Sequence, residues 1–353
     1  MHIAKNNIMK ILVVGSFRWD MYAQAFYEAW RRDGYDVVKL DYEDFHYSLD
    51  AFFCQFMNKM QDRYHKGSWV KKYNRILLEK VDSFLPDLVF LYRCYNIYTE
   101  TVKIIAGKSI VFSYNNDDPF SGVPYKGYSH LYLQNVKYCH LNYVYRKKNI
   151  DDFRLLGINN TKILLPYYRS YSNFPIDCLK ETTIVFAGHF ENDGRDKYIL
   201  SLKDSGLPIK VYGGHIWKRS SLYDKIKDVV FPARYGEEYN NLINSSGLCL
   251  CFFSKINNDT YTRRCFEIPA TKTVMLCEYS DDMNKFFPEG ECAMYFRNQE
   301  ELIIKARLLL SNPNLCKRIG SNAYKRVLEL KASAHDRCRE IINDYNSIML
   351  NNN

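Results

Sequence analysis

The sequence has no apolar run near the roughly 18 residues that a membrane-spanning helix needs, so a helical membrane protein is excluded. Residues 1–10 are polar, and the apolar run 11–14 is too short for the core of a signal peptide. The eleven cysteines form no C-x-x-C pair, and most lie in apolar runs. This favours buried, reduced thiols over disulfides or zinc, and it predicts a cytoplasmic protein.

A dinucleotide-binding fingerprint is also missing. The first apolar run ends at Gly15, but the next residues lack the second and third glycines of that pattern. The composition is otherwise that of a globular protein, because 47% of the residues are apolar and 25% are charged. The 353 residues suggest two domains of ordinary size.

The sequence is unusually rich in tyrosine, and it carries more positive than negative charge. The chain has 30 Tyr and a formal net charge of +9. Both would suit a nucleic acid, a membrane surface or a phosphate-bearing small ligand, and composition does not choose among these.

Apolar runs alternate with helical periodicity twice along the chain, the second time from residue 183. This predicts an α/β fold of two Rossmann-like domains facing a central cleft. We expect a first domain at 1–170, a second at 181–330, and a C-terminal helix at 331–353 that packs back on the first. Ligands bind such sheets beyond the carboxyl ends of the strands, which points to the loops after Gly15, Tyr114, Gly188, Gly213 and Phe253.

The segment 259–270 is the richest in chemistry. Asp259 and Glu267 flank two arginines at the start of a predicted helix. A helix N-terminus with adjacent Arg can bind an anion, and a carboxylate can accept hydrogen bonds from a sugar diol. The alternative from charge pattern alone is a salt-bridged helix start on the surface.

The same segment resembles a known family. Asp259, Thr262, Arg264 and residues 266–270 match the pattern D-x-x-T-x-R-x-F-E-I-P-A of the "glycosyl transferases group 1" family, which includes spore-maturation-type proteins. Residues 186–195 resemble its G-H-x-E-N-D-G-R loop, and residues 114–120 resemble its D-D-P segment. The resemblance implies the GT-B fold, in which the second domain binds most of a nucleotide-sugar.

The resemblance also implies roles for individual residues. Glu267 would hold the nucleotide ribose, Asp259 would face the donor sugar, and Arg264 would contact the phosphates. Lys272 stands where the family usually has Gly, so it would reshape that turn or add a phosphate contact. The predicted donor-binding residues are Glu267, Arg264, Asp259, Thr262, Arg195, Gly188 and Gly213.

The predicted catalytic and acceptor-side residues lie in other loops. His189 is expected to contact the donor sugar or phosphate, with a structural hydrogen bond as the alternative. Asp117 and Asp118 would supply a general base if the enzyme inverts, with a turn before Pro119 as the alternative. No D-x-D pair lies beside a sugar site, so we expect no metal and no cofactor besides the donor. The predicted acceptor-side residues are Gly15, Arg18 and Trp19, where Trp19 stacks on a sugar or packs in the core.

Residues 51–80 combine charge and apolar side chains. Seven basic and two acidic residues give a net charge of +5, and apolar residues recur among them at near-helical spacing. One interpretation is a helix pair that contacts anionic lipid. The other is a pair with one face in the core and solvated Lys on the opposite face.

Together these features predict a metal-independent glycosyltransferase. It would move a sugar from a nucleoside-diphosphate sugar to a hydroxyl of a glycan or lipid-linked glycan, in bacterial surface polysaccharide synthesis. We expect a cytoplasmic protein at the inner face of the cell membrane, without a nucleic-acid partner. The alternatives are a nucleotide-sugar epimerase on the same fold, and a non-catalytic GT-B-like or nucleic-acid-binding protein.

Overall fold

The computed structural model describes residues 8–48, 52–121 and 129–351, and the chain divides into two units. Residues up to Leu165 and those from Ala334 onward form the first unit, and residues 166–333 form the second. Each unit contains a six-stranded sheet in which neighbouring strands pair in parallel. The predicted α/β class with two Rossmann-like sheets is confirmed.

The first sheet has the strand order β2-β1-β3-β4-β5-β6. Strand β3 is apolar and buried along its whole length, and β1 is buried from Ile11 onward, as is usual for a parallel sheet covered on both faces. The strands are β1 (Lys10–Gly15), β2 (Asp36–Asp41), β3 (Leu88–Tyr92), β4 (Ile110–Asn115), β5 (Leu141–Val144) and β6 (Thr161–Ile163). The helices are α1 (Ala23–Arg32), α2 (Phe52–Tyr64), α3 (Ser68–Phe84), α4 (Thr99–Ala106), α5 (Ser129–Asn135), α6 (Lys147–Leu155) and, at the end of the chain, α14 (Ala334–Asn351).

The second sheet has the order β12-β11-β10-β7-β8-β9, which is that of a doubly wound dinucleotide-binding sheet. Its strands are β7 (Ile184–Phe186), β8 (Ile209–Tyr212), β9 (Val230–Phe231), β10 (Leu248–Cys251), β11 (Met275–Glu278) and β12 (Met294–Phe296). Its helices are α7 (Arg195–Asp204), α8 (Tyr223–Ile226), α9 (Gly236–Ser245), α10 (Arg264–Glu267), α11 (Asp281–Phe286), α12 (Gln299–Leu310) and α13 (Pro313–Glu329). Pro313 lies in the first turn of α13, where its missing N–H costs no hydrogen bond, and the Asn312 side chain caps the same helix.

The strand order of the second unit fixes where a ligand can bind. Strands β7 and β10 are neighbours, but the chain leaves β7 toward β8 on one side and leaves β10 toward β11 on the other. The loops that follow β7 and β10 therefore separate at the carboxyl edge and leave a crevice between them. Ligands of open α/β sheets bind at this switch point.

Buried aromatic rings account for part of the tyrosine excess. Phe26 on α1 packs on Phe90 with ring centroids 5.0 Å apart, and Tyr92 and Tyr114 meet edge to face at 5.2 Å. Tyr143 is also buried, and its hydroxyl donates to Asp344 on α14 at 2.7 Å. Tyrosine suits these places because its ring fills the core while its hydroxyl can find a polar partner.

Helix α2 buries its polar side and exposes its apolar side, the reverse of an ordinary amphipathic helix. Asn58 and Gln61 are buried, whereas Phe52, Phe53 and Phe56 are 86%, 69% and 49% exposed. Asn58 exchanges two 2.9 Å hydrogen bonds with the backbone of residue 47, and Gln61 accepts from the N–H of residue 69 at 3.1 Å. The polar side of α2 is therefore the side that attaches the helix to the unit.

Helix α3 has the ordinary arrangement. Trp69, Tyr73 and Leu77 enter the core, while Lys71 and Lys72 face solvent. The alternative interpretation of residues 51–80 thus holds for α3 but not for α2; Ala51 lies outside the described residues. No helix in the described part of the chain combines the length and apolarity needed to span a bilayer.

Candidate functional site

Two glycines bring the loops after β7 and β8 into contact. A Cβ atom on Gly213 would lie 2.1 Å from the carbonyl oxygen of Gly188. A Cβ atom on Gly188 would lie 2.8 Å from Nη2 of Arg264. Side chains do not fit at such distances, so both positions require glycine in this arrangement. Trp217 closes the contact by donating from Nε1 to the Gly188 carbonyl at 2.9 Å.

Arg264 places a cation at this contact. Its side chain makes no hydrogen bond or ion pair with the described residues, and its Nε is buried. Its guanidinium lies over the ring of Phe186, 5.6 Å from the centroid. Burial works against its charge, but the neighbouring Cys251 and Tyr239 raise the pKa of Arg264 above its ordinary value. A buried cation without a partner is costly, and an anionic ligand would remove that cost.

Arg195 has a different role from the one that the sequence predicts. It is 2% exposed, and its guanidinium donates to Asp193 at 2.6 Å and to the carbonyl of His189 at 2.9 Å. Glu191 lies 3.2 Å away. These contacts give Arg195 a structural role in place of the predicted donor contact, because most of its donors are already used inside the loop after β7. Arg195 holds that loop in shape.

Glu191 joins the loop after β7 to the loop after β10. Its carboxylate accepts from the hydroxyl of Ser254 at 2.7 Å and lies 3.1 Å from Nε2 of His189. Burial on its own raises the pKa of Glu191, but His189, Arg195 and Ser254 together lower it to about 2. Sequence reasoning missed Ser254, which follows an apolar run without any motif. His189 is 63% exposed at its side chain, and its donor contact stays a prediction.

Glu267 is held by two residues that sequence reasoning missed. One carboxylate oxygen lies 2.7 Å from Nε of Arg263, and the other accepts from the hydroxyl of Tyr239 at 3.1 Å. Arg263 precedes Glu267 by four residues on a helix, a spacing that could have identified it. Tyr239 is 28 residues distant along the chain, and no local signal links the two. A carboxylate can accept further hydrogen bonds, and the ribose role of Glu267 stays a prediction.

Asp259 and Thr262 lie in the loop between β10 and α10. The Asp259 N–H donates to the carbonyl of Ser254 at 2.9 Å, and the Thr262 carbonyl accepts from the N–H of Cys265 at 3.0 Å. These backbone bonds fold the loop over the carboxyl edge of the sheet and start α10 there. The predicted donor residues 188, 213, 259, 262, 264 and 267 are thus carried by neighbouring loops of the second unit.

Lys272 lies on the other edge of the same sheet. It follows the turn 269–271 and precedes β11, so it stands at the amino edge, away from the loops above. Its φ of 59° is left-handed, a conformation that glycine adopts without strain. Its Nζ lies 4.9 Å from the ring centroid of Tyr324. Of the two roles expected for Lys272, the phosphate contact does not fit this position, whereas the altered turn does.

The predicted catalytic carboxylates lie in the first unit and are engaged there. Asp118 is fully buried, and its carboxylate accepts from the N–H of Phe120 at 3.0 Å and from Asn149 at 2.9 Å. Asp117 is 6% exposed and pairs with Arg93 at 2.5 Å. These contacts are those of a turn before Pro119, the alternative that the sequence left open. They correct the predicted general base, since neither carboxylate is open to an acceptor hydroxyl.

The predicted acceptor-side residues follow β1. A Cβ atom on Gly15 would lie 2.9 Å from the carbonyl oxygen of Tyr92, so glycine is needed where β1 ends beside β3. Arg18 is exposed and lies over the ring of Trp19, 5.5 Å from its centroid. Trp19 is 38% exposed. Its stacking on a sugar stays a prediction.

A protein-family model matches much of the second half of the chain. Residues 195–343, somewhat under half of the chain, match the family model described as "Glycosyl transferase-like". No curated protein matches the sequence significantly.

Solved structures match nearly the whole chain. Sucrose-phosphate synthase from Thermosynechococcus elongatus has a TM-score of 0.68 at 11% identity, over 97% of this chain and 99% of that one. A glycosyltransferase from Rickettsia africae gives 0.66 at 12% identity, over 97% and 99%. HepE from Anabaena, solved in complex with UDP-glucose, gives 0.64 at 10% identity, over 96% and 100%. The solved structures confirm the predicted GT-B fold, and the family match over residues 195–343 agrees with the predicted glycosyltransferase.

Proposed function

We propose that this chain transfers a sugar from a nucleoside-diphosphate sugar to a hydroxyl of a glycan acceptor. The observation that carries the proposal is the guanidinium of Arg264 beside Gly188, which has no hydrogen bond or ion pair to the described residues and lies at the switch point of the second sheet. A dinucleotide-type sheet binds its ligand at this position. Among the neighbouring groups, Glu267 is suited to a ribose because carboxylates accept hydrogen bonds from diols.

The chemistry follows from the charge of the leaving group. As the glycosidic bond breaks, negative charge grows on the nucleoside diphosphate. A fixed cation that is already in place stabilises this charge without reorganisation during the reaction. In our proposal Arg264 is that cation, and Arg195 acts through the loop that it holds. Since the sequence has no D-x-D pair, we propose that transfer needs no metal.

Binding of nucleoside diphosphates is the first test. Because Anabaena HepE was solved with UDP-glucose, UDP compounds come first, followed by GDP, CMP and TDP compounds in calorimetry. We expect one nucleotide to bind, and Glu267→Gln to weaken it about tenfold, the loss of about 1.4 kcal/mol. Tyr239→Phe is the matched control, because it removes a contact of Glu267 but keeps the carboxylate. If the folded protein binds none of these compounds, the donor site is refuted.

The product distinguishes the remaining functions. A glycosyltransferase makes a new glycoside only when an acceptor is present. An epimerase would convert the nucleotide-sugar without an acceptor, and that result would replace our proposal. Tight, salt-sensitive binding of RNA without nucleotide-sugar binding would favour a nucleic-acid-binding protein instead.

We further propose that α2 contacts the anionic inner face of the cell membrane, where a lipid-linked acceptor would be found. On α2, exposed Phe52 and Phe56 share one helical stripe with exposed Lys59 and Arg63. Apolar side chains flanked by basic ones suit an interface of acyl chains and anionic headgroups. The buried Asn58 and Gln61 leave the apolar side of α2 free to make this contact.

Vesicle flotation tests this contact. The protein should float with vesicles that contain phosphatidylglycerol and remain behind with phosphatidylcholine alone. A triple change of Phe52, Phe53 and Phe56 to Ser should abolish flotation. Removing the exposed Leu155 and Leu156 of the same unit instead should not, which makes Leu155→Ser/Leu156→Ser the control. Equal flotation of the triple variant would refute the role of α2 and leave the donor site untouched.

A further inference from the structure

Three buried cysteines from three elements meet in the core of the second unit. Cys251 lies on β10 beside Cys277 on β11, and Cys265 lies on α10. The Sγ atom of Cys265 is 3.6 Å from that of Cys251 and 3.9 Å from that of Cys277. All three Sγ atoms lie within 4.8 Å of one another, and none of the three residues is exposed.

These distances are those of thiolates around one metal ion. With a metal–sulfur bond of about 2.3 Å, neighbouring sulfurs lie about 3.8 Å apart in tetrahedral coordination and about 4.0 Å apart in a trigonal plane. The two measured Sγ distances are close to both values, and the third needs at most a small side-chain rotation. We propose that Cys251, Cys265 and Cys277 form a binding site for a thiophilic metal ion.

The ligand set narrows the kind of ion. Within the described ranges no fourth His, Cys, Asp or Glu atom joins the three sulfurs. Thiolate ligands select soft ions, and three of them without a fourth ligand favour Cu⁺ over Zn²⁺, whose structural sites have four. On binding, each thiol releases its proton to solvent and forms a sulfur–metal bond. No electron is transferred.

Charge at the cluster supports the assignment. Three thiolates with one monovalent ion carry net negative charge, which is costly in a core unless a cation lies near. Arg264 directly precedes Cys265 on α10 and supplies a positive charge beside the cluster.

The ion would cross-link the region that carries the candidate donor residues. Helix α10 is a single turn, and both Arg264 and Glu267 lie on it. The metal site would tie that turn to β10 and β11, inside the core and away from the exposed loops. The site itself does not depend on the proposed function, since its ligands and its test involve metal alone.

The number of metal ions bound per chain tests the proposed site directly. The protein, with the exposed Cys178 changed to Ser, is expressed in medium supplemented with a copper or zinc salt, purified under reductant so that bound copper stays Cu⁺, and passed through a column with a weak chelator. We expect about one ion per chain and a higher melting temperature than for the metal-free protein, because the ion binds only the folded state. Cys265→Ala should lose both effects. Cys249→Ala removes another buried thiol of β10 and should keep both.

Several outcomes would overturn the proposal. Retention of neither Cu⁺ nor Zn²⁺ by the folded protein is one, and equal retention by Cys265→Ala is another. Should Cys265→Ala fail to fold, Cys277→Ala carries the same expectation. Peptide mapping that finds a Cys251–Cys265 disulfide in protein isolated under reductant would show that the pair serves redox chemistry instead.

Discussion

The guanidinium of Arg264 lies so close to Gly188 that a Cβ atom on the glycine would stand 2.8 Å from Nη2. Residue 188 therefore has to be glycine for the arginine to reach the edge of β7. Two positions that are 76 residues apart in the sequence depend on each other, and the proposed donor site depends on both.

Gly188→Ala tests this relationship. Its Cβ would also meet the Phe186 ring at 2.8 Å, so the arginine has to move away from its position. We expect the affinity for the nucleoside diphosphate to fall about tenfold, or about 1.4 kcal/mol. Gly107→Ala is the control, because its Cβ would meet nothing closer than 3.5 Å. Unchanged calorimetric affinity in Gly188→Ala would argue against a site at this contact.

Arg264 and Arg195 should respond oppositely to substitution. Arg264→Met should weaken nucleotide binding by about 1.5–3 kcal/mol and change the unfolding midpoint little, since Nε of Arg264 has no hydrogen bond to lose within the described residues. Arg195→Met should lower the free energy of unfolding by about 3–5 kcal/mol, because Asp193 and Glu191 then lose a buried partner. Denaturant unfolding and calorimetry on both variants separate the two effects. If instead Arg195→Met weakened nucleotide binding and Arg264→Met destabilised the fold, the binding role would belong to Arg195 and the structural role to Arg264.

Acid should loosen the loop after β7 through Glu191. Its folded pKa is lowered from 4.5 to about 2, so its stabilising effect is present above pH 4.5 and is lost as the pH falls toward 2. The shift corresponds to roughly 3 kcal/mol at neutral pH. Glu191→Gln should therefore be less stable at pH 7 and lose less stability than the wild type on acidification. Glu100→Gln, at an exposed carboxylate, should follow the wild-type pH profile of unfolding.

The reversed polarity of α2 predicts an unusual mutational pattern. Asn58→Leu should destabilise the first unit by about 1–3 kcal/mol, because it removes both hydrogen bonds that attach α2 to the backbone of residue 47. Phe53→Ser should change the free energy of unfolding by less than about 0.5 kcal/mol, because its ring is exposed. Thermal and urea unfolding measure both. A larger loss in Phe53→Ser would mean that the phenylalanine packs in the core.

The regular elements were predictable where the signal is local. The strands at 88–92 and 141–144 and the helix at 299–310 form over the predicted residues. Continuous apolar runs and helical periodicity suffice there, because the segment carries the whole pattern. Strand β12 and the short α11 were missed, since three apolar residues or six helical ones give no distinct period.

The candidate site was predictable only as a set of loops. The family motif identified Arg264 and Glu267, and the strand pattern placed them after β10. It did not identify Tyr239 as a partner of Glu267 or Ser254 as a partner of Glu191, because no local pattern links the members of either pair. It also placed Asp118 at a reacting position, whereas a turn and Asn149 bury its carboxylate.

The sequence by itself determined the alternation of strands and helices, the two sheets and the glycosyltransferase resemblance of the second half, because each is written in contiguous residues. Only the tertiary structure decided which arginine is free for a ligand: Arg195 and Arg264 carry the same charge, but folding brings Asp193 and Glu191 to one and a glycine and a ring to the other. Likewise, the sequence showed that α2 is amphipathic, and packing decided which side faces inward. Buried polar groups need partners, and residue 47 and the start of α3 supply them to Asn58 and Gln61.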